Sequence, residues 1–193
     1  MKPLLFLDVD GVLNVRRYPF AEHLVEVKTA DLAQSPFTNS FRGQSVDLTL
    51  RIPNAYDAWL AELGEHFELV WATTWEKAAN IYISPLLGLG ELGVVEHHLW
   101  PPTFREVTNG NIGVWKMRSI LSYAGDRPFA FIDDNGYGAQ AFAESVRGAS
   151  ADVLVIVAAE GLERDHVDDL IAWARGLLEN ASDESGRGLD ALA

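Results

Sequence analysis

The chain has 193 residues, 48% hydrophobic and 22% charged, a length of about one domain and a balance that rules out a wholly disordered or fibrous chain. Its 15 basic and 28 acidic residues leave a net charge of −13, which repels polyanions and disfavours nucleic acid as the main partner. The absence of cysteine excludes disulfides, thiolate nucleophiles and Cys-ligated zinc, and no apolar run approaches the roughly 18 residues of a membrane span.

The opening Met1 to Gly11 does not read as a secretory leader, because acids interrupt its short apolar run. Cytoplasm is the expected compartment. Residues 3–9 read as a strand buried on both faces, as in a parallel sheet. Asn14 to Pro53 is loop-rich and contains an alternating, half-exposed strand at Ser45 to Ile52. Phe37 to Phe41 is its expected hairpin partner, turning near Arg42-Gly43-Gln44. Asn54 reads as the N-cap of a helix to Leu63, closed by Gly64. A second buried strand covers Phe67 to Thr73, and a helix Glu76 to Leu87. Residues 88–112 read as irregular, with a short strand near Val94-Val95.

Ile112 to Tyr123 is a predicted helix ended by Gly125. Pro128 to Ile132 is a strand, Gln140 to Val146 a helix, Asp152 to Val157 a strand and Arg164 to Leu178 the last helix. Alternating strands and helices predict an α/β fold with a mainly parallel central sheet. One domain over 1–179 is expected, with a short β-hairpin flap inside 15–53 and a disordered tail at 180–193.

In open α/β sheets, ligands bind beyond the carboxyl ends of the strands. Those ends carry Asp8-Val9-Asp10-Gly11, Thr73-Thr74 and Asp133-Asp134-Asn135. Lys116 lies on the helix before the last of these strands. Asp8 and Asp10 face one side of an extended chain. Repelling carboxylates need a cation, and oxygen ligands without Cys or placed His point to Mg²⁺. Phosphate chemistry accounts for the rest. One carboxylate can attack phosphorus, a second can move the proton, and a Thr hydroxyl and a Lys ammonium can hold the phosphoryl group. Gly11 permits a tight turn with N–H groups near the anion.

Leu5 to Asn14, with Asp8-Val9-Asp10-Gly11 at its centre, resembles the first motif of the haloacid dehalogenase superfamily. Thr73, Lys116 and Asp133-Asp134 match its second, third and fourth motifs, over residues 3 to 160. The resemblance implies a three-layer Rossmann-like domain. It implies that Asp8 is nucleophile and metal ligand. Asp10 would be general acid/base, with its carbonyl on Mg²⁺. Thr73 and Lys116 would hold the phosphoryl group, and Asp133 and Asp134 the metal. It points to a phosphomonoester hydrolase with an aspartyl-phosphate on Asp8. An Asp two positions after the nucleophile fits the phosphatase and phosphotransferase branches. The insertions are too short for a full cap, so a capless or minimally capped site is expected, suited to a phosphorylated small molecule or macromolecule, or closed by a second copy of the chain.

Alternatives stand beside these assignments. Thr74 competes with Thr73 for phosphate, and Thr74, Gly11 and Asn135 are candidate substrate contacts. Arg118 and Lys77 compete with Lys116. Trp75 either lines the site or packs in the core. Arg16, Arg17 and Tyr18 either touch substrate or form a solvated loop. Adjacent His97 and His98 make a poor chelate and read as a surface loop pair. A phosphotransferase, a nucleotidase and a non-catalytic phosphate-binding module are the competing functions.

Overall fold

The apolar run after Lys2 forms β1 (Leu4–Leu7), buried throughout, in a computed structural model of the chain. The structure describes residues 1–16, 21–32, 45–103, 105–106, 109–148 and 151–190, with side chains only as far as 179 in the last span. The other strands are β2 (His23–Lys28), β3 (Ser45–Leu50), β4 (Glu68–Trp71), β5 (Gly93–Val94), β6 (Phe129–Asp133) and β7 (Val153–Val157). The helices are α1 (Tyr56–His66), α2 (Ala78–Tyr82), α3 (Ile112–Ala124), α4 (Ala139–Arg147) and α5 (Arg164–Asp190).

Five strands form a parallel sheet in the order β5-β4-β1-β6-β7. Side chains alternate between its faces. Leu5, Leu7, Trp71, Ala130 and Ile132 join one core with Leu60 and Leu63 of α1 and Val167 and Leu170 of α5. Leu4, Phe6, Val70, Phe129 and Phe131 join the other, with Met117 and Ile120 of α3 and Ala139 and Ala143 of α4. Two covered faces explain why these strands are apolar throughout rather than alternating. The result is a three-layer, Rossmann-like α/β fold. After β1 the chain builds outward through β4 and β5, then returns to β1's other side for β6 and β7. The crevice beyond β1 and β6 is therefore the switch point where such sheets bind ligands.

The small hairpin is present, but its strands differ from expectation. β3 pairs antiparallel with β2, Val27 opposite Val46 and Val25 opposite Leu48. The expected partner, Phe37 to Phe41, lies outside the described residues. The period-two run His23-Leu24-Val25-Glu26-Val27-Lys28 carried the signal. Val27 and Leu50 anchor the hairpin in the first core.

Other boundaries moved. α1 has no side-chain cap at Asn54, and Gly64 lies inside it. Continuing past Gly64 lets Phe67 close the helix on the Leu63 carbonyl and bury its ring. The expected helix from Glu76 to Leu87 divides into α2 and a 3-10 turn at Ser84–Leu87, with Pro85 in the turn's first positions. α5 runs through 180–190, where the polar composition points to a frayed tail. Once its packed first turns have nucleated it, each added residue contributes a hydrogen bond. No helix among the described residues is long and apolar enough to cross a membrane.

Candidate active site

Asp8 follows β1, and its N–H donates to the Ile132 carbonyl at 3.1 Å, joining the ends of β1 and β6. The Lys116 ammonium, on the first turns of α3, lies 2.7 Å from Asp8 Oδ2 and 2.7 Å from Asp133 Oδ2. All three side chains are buried. The two competing cations point elsewhere: Arg118 pairs with Glu106 and Lys77 with Glu96.

Asp134 completes the acidic group. Asp8, Asp133 and Asp134 each offer an oxygen within 4.8 Å of the others. Asn135 ties this pair down. Its N–H donates to Asp133 Oδ1 at 2.7 Å and its amide to Asp134 Oδ1 at 2.8 Å. Two glycines allow this packing. Gly11 has φ +88, and a Cβ there would overlap the Asp134 carboxylate. A Cβ on Gly113 would lie 2.5 Å from the Asn135 carbonyl oxygen. The Gly11 N–H is committed to the Asn14 carbonyl at 3.0 Å.

Burial pushes the Asp8 carboxyl up to about 8, with Asp133 and Asp10 adding to the rise against the pull of Lys116. Burial raises Asp134 as well, and Asp133 adds to it. Burial works against the Lys116 ammonium, but Asp133 and Asp8 prevail and hold it above its ordinary value. The three carboxylates, with oxygens within 4.8 Å of one another, are a hard-oxygen donor set of the type Mg²⁺ takes. The Asp134 carboxylate occupies the space a Cβ on Gly11 would need.

The Asp10 side chain is outside this group. Its Oδ1 accepts from Asn14 Nδ2 at 2.9 Å and its Oδ2 from Trp75 Nε1 at 2.8 Å. Thr73 is fully buried one residue beyond Ala72, whose N–H binds the Leu7 carbonyl, so it sits beside the end of β1. Its Oγ1 accepts from the Trp75 N–H at 3.4 Å. Thr74 is half-buried. Trp75 is both core and site, packed in the first core with its indole N–H on Asp10.

Two features escaped sequence reasoning, the Glu76–His98 contact and the burial of His97, whereas that reasoning weighs Arg16 as a substrate contact or a solvated residue. Arg16 is exposed and stands 3.7 Å from Asp134; Arg17 and Tyr18 lie outside the described residues. Glu76, buried at φ +45, accepts from His98 N at 2.6 Å and lies 2.7 Å from His98 Nδ1. His97 is fully buried rather than on a surface loop. A 3-10 turn at His97–Leu99 tucks its ring against Trp115 and puts Nδ1 2.6 Å from Ser119 Oγ. Glu76, two residues after Thr74, had a weak signal in that placement; the burial of His97 had none.

Comparison with family models, with curated proteins and with solved structures gives no match to this chain.

Proposed function

We propose that the protein is a Mg²⁺-dependent phosphomonoester hydrolase that works through an aspartyl-phosphate on Asp8, in keeping with the resemblance to the haloacid dehalogenase superfamily. One observation carries the reading: a buried lysine joins Asp8 to Asp133 at the switch point of the sheet, with Asp134 beside them.

Asp8, Asp133 and Asp134 would hold the ion. Bound there, Mg²⁺ supplies positive charge against the carboxylates and the phosphate oxygens. An Asp8 oxygen attacks phosphorus as the ester P–O bond breaks, and Asp10 passes its proton to the leaving oxygen. Asp10 then takes a proton from water. The water oxygen attacks phosphorus, the bond to Asp8 breaks, and phosphate leaves. Lys116 keeps Asp8 oriented and offsets charge on the transferring group. Thr73, beside the end of β1, would give its hydroxyl hydrogen to a phosphate oxygen, with Thr74 the alternative donor.

The test is phosphate release from p-nitrophenyl phosphate and a panel of phosphorylated metabolites and phosphopeptides. Release requires Mg²⁺, stops with chelator and is lost in Asp8→Asn. A folded wild type with Mg²⁺ bound and no release from any ester refutes the proposal.

A further inference from the structure

We propose that Trp75 and Asn14 are positioning residues that aim the Asp10 carboxyl, and that the base of the β2–β3 hairpin is thereby part of the proton-transfer machinery. The inference rests on the phosphatase reading. Asp10 is exposed, and an exposed aspartate ordinarily samples several rotamers. Here each oxygen has one N–H donor, and the donors come from opposite sides of the site.

Trp75 is the fixed side. Its ring is 7% exposed and packed in the first core, so its indole nitrogen cannot follow a wandering carboxylate. The turn presenting it is over-determined. Glu76 holds φ +45, a conformation that non-glycine residues keep only when their surroundings enforce it. Its N–H donates to the Thr73 carbonyl at 3.0 Å, and its buried carboxylate grips His98 at the backbone N–H and at Nδ1. Asn14 is the second side. Its Oδ1 accepts the Arg51 N–H at 2.9 Å, which fixes the amide so that Nδ2 faces Asp10. The Val15 N–H binds the Arg51 carbonyl at 2.9 Å. The residue just beyond β3 therefore sets the orientation of Asn14, and Asn14 that of Asp10.

The chemistry makes that aim matter. A general acid must reach the leaving oxygen at hydrogen-bond distance as the P–O bond breaks, and small displacements are costly. The need depends on the leaving group. p-Nitrophenolate departs unprotonated, whereas an alkoxide must receive the proton.

The experiment compares kcat/KM with Mg²⁺ on p-nitrophenyl phosphate and on glycerol 2-phosphate. Trp75→Phe removes the N–H and keeps an aromatic ring. We expect it to lose roughly 10-fold or more on the alkyl ester and within about 3-fold on the aryl ester. Asn14→Ala, at a half-buried position, shifts the ratio the same way and carries the test if Trp75→Phe does not fold. Equal losses on the two esters mean a structural role and overturn the inference alone. Where the panel shows better aryl and alkyl substrates, they replace this pair; a folded, Mg²⁺-bound wild type that releases phosphate from no ester overturns the phosphatase reading and this inference with it.

Discussion

Acid should destabilise this protein through His97 in a way that one substitution removes. The ring is fully buried. Ser119 Oγ donates to the Lys116 carbonyl at 2.9 Å and stands 2.6 Å from His97 Nδ1. Burial pulls the imidazole down to about 3, and the Lys116 charge adds to the effect. The Ala72 backbone works in the other direction, favouring the charged ring, but burial outweighs it.

The sign follows from proton counts. Between about 3 and 6.5 the unfolded chain binds a proton at this ring and the folded chain does not. The neutral ring's contribution is complete above 6.5 and is lost as pH falls toward 3. At pH 5 the loss is about 2 kcal/mol, from about 1.5 pH units at about 1.4 kcal/mol each. His97→Asn keeps a polar group toward Ser119, one that can donate or accept, and removes the titrating ring. Urea unfolding of both proteins at about pH 7.5 and about pH 5 isolates the effect, because every other titrating group is shared. The wild type should lose about 2 kcal/mol more on acidification than the variant. Equal losses refute the argument.

Three further outcomes are expected. Lys116→Met strands Asp8 and Asp133 without their cation, so urea unfolding should show a loss of about 3 kcal/mol, part of which added Mg²⁺ restores. Gly11→Ala drives a Cβ into Asp134 at a backbone position of φ +88; calorimetric titration should show Mg²⁺ bound roughly 10-fold or more weakly, and unchanged affinity would exclude Asp134 as a ligand. Gln140 accepts from the Val155 N–H at 2.9 Å and donates to the Val153 carbonyl at 3.2 Å, covering part of the outer edge of the sheet. Gln140→Ala should cost about 1–2 kcal/mol, speed amide exchange at Val155 and promote self-association along that edge.

The parts of the molecule that could be read in advance share one cause. Continuous apolar runs such as Leu4 to Leu7 and Phe129 to Ile132 are what a strand covered on both faces requires, so the parallel core was legible. The convergence of Asp8, Lys116, Asp133 and Asp134 was legible too, because these residues stand where parallel strands end and the next helix begins. The hairpin partner was missed although the alternation at His23 to Lys28 was present; aromatic Phe37 and Phe41 drew the pairing away. His97, Glu76 and the Asp10 contacts belong to a different class. Each depends on one side chain meeting another across loops, as Trp75 meets Asp10 or Ser119 meets His97. Such contacts have no period, so pattern reading cannot find them.

The charge arrangement explains why these contacts cluster where they do. One ammonium faces Asp8 and Asp133, and the exposed Arg16 stands 3.7 Å from Asp134. Three carboxylates share too little positive charge, and burial already favours the protonated forms of Asp8 and Asp134. A bare cluster of this kind would rearrange to spread its charge or take up protons. The chain opposes rearrangement with rigid supports: Asn135 on both acids of the pair, Gly11 beneath Asp134, and Trp75 and Asn14 on Asp10. These supports hold the carboxylates close despite their repulsion, which is the preorganisation a cation or a phosphoryl group needs on arrival. The cost is borne locally, in the positive φ of Glu76 and in a histidine kept neutral beside a lysine. The same fold that makes Asp8 and Asp134 hard to ionise therefore also holds them beside Asp133.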